Sequence, residues 1–281
     1  IHCTIRKGIM LVGRLAHEWR DPAGLGADWL VDALEDADPK TRRAAARALG
    51  KLERTAALEA ALGAAFDRAT DEDDRRALAL ALGKVAGEAT ERRLSALEGN
   101  VRASVIAQRE LARRTPGAID PSREASEPVA IWFHTRSGLE GVLEEELGGA
   151  FGSARLAASG VVEARLEGPL APALRIRTAS HLGFPITASS PASSDLADAV
   201  AETLLSRASL AVLRGFTRTD AGAPIRFRLA FAGGGHKRAL VWRVAELVRE
   251  RTRELVNDPT ASTWEVVVTP PTSGAGLRLE L

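Results

Sequence analysis

Apolar positions in the first 114 residues recur at helical spacing, and they recur in blocks. Trp29-Leu30-Val31-Asp32-Ala33-Leu34 reads as an apolar helix and Asp36-Ala37-Asp38-Pro39 as a turn. Lys40 to Leu52 then reads as a second helix rich in Ala and Leu. Asp38 suits the cap of that helix, with Pro39 in its first turn where a missing N–H costs nothing. The segment from Arg42 to Leu52 returns as Arg75 to Val85 at an offset of 33, identical at 8 of 11 positions. A weaker third copy runs from Val101 to Arg114, with Arg102-Ala103 in the matching place. Gly50 and Gly83, near the helix ends, predict C-terminal stops. Small Ala faces allow close approach, and one helix pair cannot bury its stripe alone, so neighbouring pairs must stack.

The period changes after residues 115–128, a polar stretch holding Pro116, Pro121 and Pro128 that reads as a linker. Beyond it a strand is predicted over 130–134, a helix over 138–147, a hairpin over 154–157 and 161–166, a helix over 170–180 and a strand over 182–186. This β-α-β-β-α-β order is that of a ferredoxin-like unit. After a Pro/Ser-rich loop at 189–194, a helix is predicted over 196–213 and an alternating strand over 225–231. A glycine turn at 233–235, a helix over 236–255 and a strand over 264–268 complete a second α+β unit.

The 281 residues carry 38 basic and 37 acidic side chains, so the net charge of +1 by itself points to neither a nucleic acid nor an acidic partner. Subdivision changes that picture. Between 203 and 245 the bases Arg207, Arg214, Arg218, Arg226, Arg228, Lys237, Arg238 and Arg243 face one acid, Asp220, a local balance of +7. Arg226 and Arg228 share one face of their strand. A basic strand leading into a glycine turn and a cationic helix start suits a phosphate backbone. The competing reading is a solvated face enriched in Arg by codon usage, since 33 of the 38 basic residues are Arg.

Candidates for chemistry are few. Ala232-Gly233-Gly234-Gly235-His236-Lys237 lacks P-loop spacing and has no Ser or Thr after Lys237 for magnesium. There is no G-x-S-x-G elbow, and no G-x-G-x-x-G follows a strand. Glu144-Glu145-Glu146 reads as a solvated helix face. His134 and His181 flank strands without a second ligand at metal spacing, so no metal site is expected. The single cysteine, Cys3, excludes a disulfide framework and a cysteine-built zinc site. No catalytic residue is identified, and no stretch approaches the length of a membrane span. A cytoplasmic protein is expected. The only Met is Met10, the natural candidate for a translation start, so residues 1–9 read as a tag remnant, an upstream misread or the tail of a longer fragment.

Two resemblances organise these readings. Over residues 25–114 the pattern resembles HEAT repeats. The second half resembles the ferredoxin-like plus THUMP region at the front of S-adenosylmethionine-dependent RNA methyltransferases of the tRNA/rRNA guanine-N2 type. The residues that carry it are Thr135-Arg136-Ser137-Gly138-Leu139-Glu140, Glu144-Glu145-Glu146-Leu147, Gly160-Val161-Val162-Glu163 and Leu174-Arg175-Ile176-Arg177-Thr178-Ala179-Ser180-His181, with Val256-Asn257-Asp258-Pro259 later.

The implied plan is multidomain. It has an N-terminal segment (1–24), an all-α HEAT-like solenoid (25–114), the linker (115–128), a ferredoxin-like unit (129–190) and a THUMP-like unit (191–281). The resemblance implies RNA binding, typically of the tRNA acceptor end, by Arg226, Arg228, His236, Lys237 and Arg238, with Arg243 and Arg218 as outer members. For Arg177-Thr178-Ala179-Ser180 it implies RNA positioning, against helix capping and inter-domain packing as the plainer reading. The chain is then expected to be the substrate-positioning part of a methyltransferase. Its Rossmann domain and S-adenosylmethionine would lie outside these residues. The alternative is an interaction scaffold that binds a protein through the repeats.

Overall fold

The computed structural model describes residues 2–15, 27–85, 87, 90, 101–115, 117–188, 195–220, 223–235, 237–272 and 276–281. The chain folds as two compact units, Ile1–Arg114 and Thr115–Leu281.

The first unit is helical. It contains α1 (His2–Leu15), α2 (Ala27–Asp32) running into a 3-10 turn (Ala33–Glu35), α3 (Pro39–Leu49), α4 (Ala56–Arg68), α5 (Glu72–Val85) and α6 (Val101–Ala112). Leu30, Leu34, Leu49, Leu62, Phe66, Leu78 and Leu82 form its core, and Ala45, Ala46, Ala79, Ala81 and Ala107 fill the spaces between helices.

The offset of 33 reappears as equivalent bonds. Asp38 caps α3 by accepting from the Lys40 N–H, and one repeat on Asp71 accepts from the Asp74 N–H. The Arg42 guanidinium donates to the Asp36 carbonyl, and Arg75 donates to the Ala69 carbonyl. Arg68 and Glu35, themselves one repeat apart, form an ion pair.

Gly50 and Gly83 do not end their helices in the left-handed conformation. Gly50 has φ −66°, and Gly83 lies inside α5. Each instead marks a close approach of another helix, α5 at Gly50 and α6 at Gly83. A Cβ at Gly50 would sit 2.9 Å from the Ala81 Cα, and one at Gly83 would sit 2.6 Å from the Glu110 Cβ.

The second unit has two main sheets. The first holds β2 (Val129–His134), β3 (Ala154–Ala158), β4 (Val161–Leu166) and β5 (His181–Gly183) in the order β3-β4-β2-β5, all antiparallel. Helix α7 (Glu140–Phe151) contributes Leu143 and Leu147 to a core with Ile131, Phe133, Val162 and Leu166. The second sheet runs β6 (Pro185–Thr187), β11 (Arg278–Glu280), β10 (Trp264–Thr269), β8 (Ile225–Phe231), β9 (Leu255–Asn257). In it β8 is parallel to both neighbours. Helices α8 (Leu196–Leu204), α9 (Arg207–Phe216) and α10 (Arg238–Arg251) supply Val200, Leu204, Val212, Val244 and Val248 to a core with Phe227, Val266, Val268 and Leu279.

Several elements differ from expectation. Residues 115–128 are built into the second unit rather than acting as a free linker. Within them β1 (Ala118–Ile119) pairs with β7 (Thr217–Arg218), and Arg123 donates to the Arg214 and Gly215 carbonyls. The helix expected over 170–180 is only a 3-10 turn at Ala173–Arg175, because Arg177 and Thr178 give their N–H groups to the Glu146 carboxylate instead of to a helical ladder. The helix expected over 196–213 breaks at Ser206, whose hydroxyl accepts from the Ser209 N–H and starts α9 afresh. The strand expected over 182–186 divides at Phe184, β5 joining one sheet and β6 the other. Phe184 exchanges both backbone hydrogen bonds with Leu281 there.

Candidate nucleic-acid interface

The segment with the cationic excess forms the consecutive elements α9, β7, β8 and the start of α10. Ile225, Phe227 and Phe231 of β8 point into the core, as the alternation predicts. The turn from β8 into α10 is built by Gly233, Gly234 and Gly235, all with positive φ (85°, 77° and 90°). Three successive left-handed residues require glycine here, since other residues pay strain at each position. Among the described residues no neighbouring atom lies within 4 Å of a Cβ built at any of the three, so the turn is open there.

The eight cations do not form one open patch. Arg207 pairs with Glu127, Arg214 forms a two-point pair with Glu254 at 2.5 and 2.6 Å, Arg228 pairs with Glu265, and Arg243 lies 3.4 Å from Glu246. All four acids lie outside 203–245, so the window count of +7 overstates the charge offered to a ligand. Arg226, expected as a phosphate contact, is only 7% exposed, and its Nε has no hydrogen-bond partner among the described residues. Its neighbour in register on β9 is Val256. Arg218 is exposed on β7, near the Asp120 carboxyl. The Ser122 hydroxyl and N–H hold that carboxyl below its ordinary pKa, with smaller contributions from Arg218 and Arg123.

What remains clustered is Lys237 and Arg238. Both are exposed and open α10 directly after the glycine turn. The Lys237 ammonium stands 4.9 Å from the centre of the Phe231 ring, a cation–π contact that holds it beside the turn. His236 lies outside the described residues.

The sequence pieces that carry the family resemblance meet in space. The Glu146 carboxylate accepts the Arg177 and Thr178 N–H groups, both at 3.0 Å. Those bonds keep its pKa low, the Arg177 N–H first. Thr135 donates its hydroxyl to the Thr178 carbonyl at 2.9 Å, and the Ser180 N–H donates to the His134 carbonyl at 2.8 Å. Glu140 accepts from the Gly138 and Gly160 N–H groups. Glu146 is therefore a clamp on the segment before β5, not part of a solvated face, while the Arg175 and Arg177 side chains stay exposed.

Comparison with known proteins places the helical half. Residues 27–114 match the family model for HEAT repeats. No curated protein matches the chain in sequence. Among solved structures, the crystal structure of TrmN from Thermus thermophilus aligns with 55% of this chain and 46% of its own, at 22% identity and a TM-score of 0.37. The match thus spans less than half of that protein's length, and a likeness this loose does not determine function. No helix among the described residues is long and apolar enough to cross a membrane.

Proposed function

We propose that the unit Thr115–Leu281 binds RNA, tRNA first among its classes, and positions it for a methyltransferase, with the HEAT-matching unit as a second, protein-binding surface. The observation that carries this reading is the exposed Lys237-Arg238 pair heading α10 behind three left-handed glycines. Two cations, the free N–H groups of a helix start and an open backbone turn together suit a phosphate. The first sheet adds support for a ferredoxin-like unit: counted from β2, its strand order is 2-3-1-4 with an α crossover after the first strand.

The mechanism of such a unit is electrostatic capture and geometric placement. Phosphate contacts fix register and carry no base identity. Lys237 and Arg238 take the central role, Arg218 and Arg243 an outer one, and Arg228 contributes only by leaving Glu265. Arg226, buried on β8, is left out of the contact set. The methyl donor, S-adenosylmethionine, belongs to a catalytic domain, and we assign none of these residues to it. The proposed setting is the cytoplasm.

Fluorescence anisotropy with tRNA at two salt concentrations tests the reading on the whole chain. The Lys237→Glu/Arg238→Glu double variant should weaken binding strongly and reduce the salt slope by about 1 for each phosphate that the variant no longer neutralises. Binding that is absent, or unchanged in the double variant, refutes it.

A further inference from the structure

Outside that surface, the two sheets of the second unit bring together three side chains that are far apart in sequence. His134 ends β2 and His181 begins β5, and the two are register partners across the antiparallel ladder. Their imidazoles stack with centroids 4.0 Å apart and planes 12° apart. Glu280 reaches them from β11 of the other sheet, its Oε1 2.5 Å from the His134 Nε2. One ligand atom from each of the three residues falls within 4.8 Å of the other two.

We propose that His134, His181 and Glu280 bind one divalent cation of borderline softness, zinc above all, and that this cation fastens the two sheets to each other. Two imidazoles and a carboxylate suit Zn²⁺, Co²⁺ or Ni²⁺, whereas Mg²⁺ and Ca²⁺ prefer all-oxygen shells. With metal–ligand distances near 2.0–2.2 Å, donors around a tetrahedral ion stand about 3.3 Å apart. To reach that spacing the donors have to close by up to about 1.5 Å, the His134–Glu280 pair has to open by about 0.8 Å, and the exposed His181 ring has to turn out of its stack on His134. Three protein ligands leave the fourth position to water.

The surroundings are built for this. The Ser180 hydroxyl donates to the His134 carbonyl at 3.1 Å, so toward the His181 Nδ1, also at 3.1 Å, it acts as acceptor. That contact places the proton on Nδ1 and turns the Nε2 lone pair to the ion, the usual role of a partner behind a histidine ligand. Gly183 makes room for the carboxylate: a Cβ there would lie 2.4 Å from the Glu280 Oε1. Arg278, two residues before Glu280 on the same strand face, has its guanidinium 4.7 Å from the centre of the Trp132 ring.

Cobalt and zinc titrations of the metal-stripped full-length chain test the site. Wild type should take up one equivalent of Co²⁺, giving the visible d–d spectrum of a nitrogen-ligated ion that Zn²⁺ abolishes. Its thermal midpoint should also rise with Zn²⁺. The variants His181→Ala and Glu280→Gln should lose at least tenfold in affinity and lose the midpoint shift, while far-ultraviolet circular dichroism stays unchanged. Ser180→Ala should weaken binding by roughly 10–100-fold. A His2→Ala/Cys3→Ser/His17→Ala/His236→Ala variant removes the other imidazoles and the thiol, and should bind as wild type does. No uptake by wild type, uptake undiminished in His181→Ala, or uptake lost in the fourfold variant overturns the proposal.

Discussion

Replacing Gly83 by Ala separates helix propensity from helix packing. In an isolated helix the change is favourable by about 1 kcal/mol. In this unit the added Cβ lies 2.6 Å from the Glu110 Cβ, 3.2 Å from the Ala107 carbonyl oxygen and 3.3 Å from the Glu110 Cγ. Carbon pairs are at rest near 3.5–4.0 Å, so α6 must move away from α5 by about 1 Å. A Cβ cannot rotate out of the way as a side-chain tip can. The cost should therefore lie in the upper part of the 1–3 kcal/mol range for overpacking, leaving a net loss of about 1–2 kcal/mol. Gly63 is the control, since it lies in α4 with no atom within 4 Å of its Cβ position. Gly63→Ala should stabilise by up to about 1 kcal/mol. Urea unfolding of the whole chain, followed by far-ultraviolet circular dichroism, should shift the midpoint of the helical unit in opposite directions for the two variants. A Gly83→Ala protein as stable as wild type would refute the packing argument.

Two further outcomes follow from particular side chains. Asp74 is 5% exposed and accepts from the Arg42 Nε at 2.8 Å, with the Arg43 Nε at 3.2 Å, so Asp74→Ala leaves two adjacent guanidinium groups of α3 without the carboxylate that ties them to α5. The same urea assay should show a loss of about 2 kcal/mol, the scale of hydrogen bonds to charged groups. The Glu146 and Glu254 carboxyls are both held below the ordinary range, Glu146 first by the Arg177 N–H and Glu254 first by the Arg214 guanidinium. A carboxyl with a lower pKa folded than unfolded lets the unfolded chain bind the extra proton. The stability it contributes is thus complete above the unfolded value, about 4.3, and drains away as pH falls through the folded one. Urea midpoints measured from about pH 6 down to 3 should decline in wild type and less steeply in Glu146→Gln; parallel declines contradict this assignment.

The repeats were legible because a solenoid writes its contacts into the sequence at constant spacing. An offset of 33 between Arg42 and Arg75 is also the offset between the carbonyls they hold. Composition could not tell why Gly50 and Gly83 are glycine, because a stop and a close approach need the same residue. In the second unit, local patterns located β2, β3, β4, β8 and β10 but missed β9 and β11. Both are three-residue strands, too short to show an alternation; β9 pairs with β8 thirty residues earlier, and β11 bridges the neighbouring β10 and the distant β6. The second helix failed for a similar reason: its N–H groups are taken by Glu146, about thirty residues earlier, and no local propensity records that. The histidine–glutamate cluster was invisible because a strand residue has no fixed sequence spacing to a ligand on another sheet.

The same reasoning bears on what a charge window can mean. Arg207, Arg214, Arg228 and Arg243 were counted as surplus because Glu127, Glu246, Glu254 and Glu265 lie outside the window, yet the fold returns each acid to its base. Such exposed pairs contribute about 0–1 kcal/mol to stability, so they are weak glue. Their larger effect is on recognition, since each base must leave an acid before it can meet a phosphate. Among the described residues no acid pairs with Lys237 or Arg238, so they carry no such cost. A ligand that binds through charge should therefore address the start of α10 first and recruit Arg228 and Arg243 only where its own phosphates displace Glu265 and Glu246. Affinity in this unit is then set by which bases are unpaired, and that follows from strand register and helix phase, not from the number of arginines.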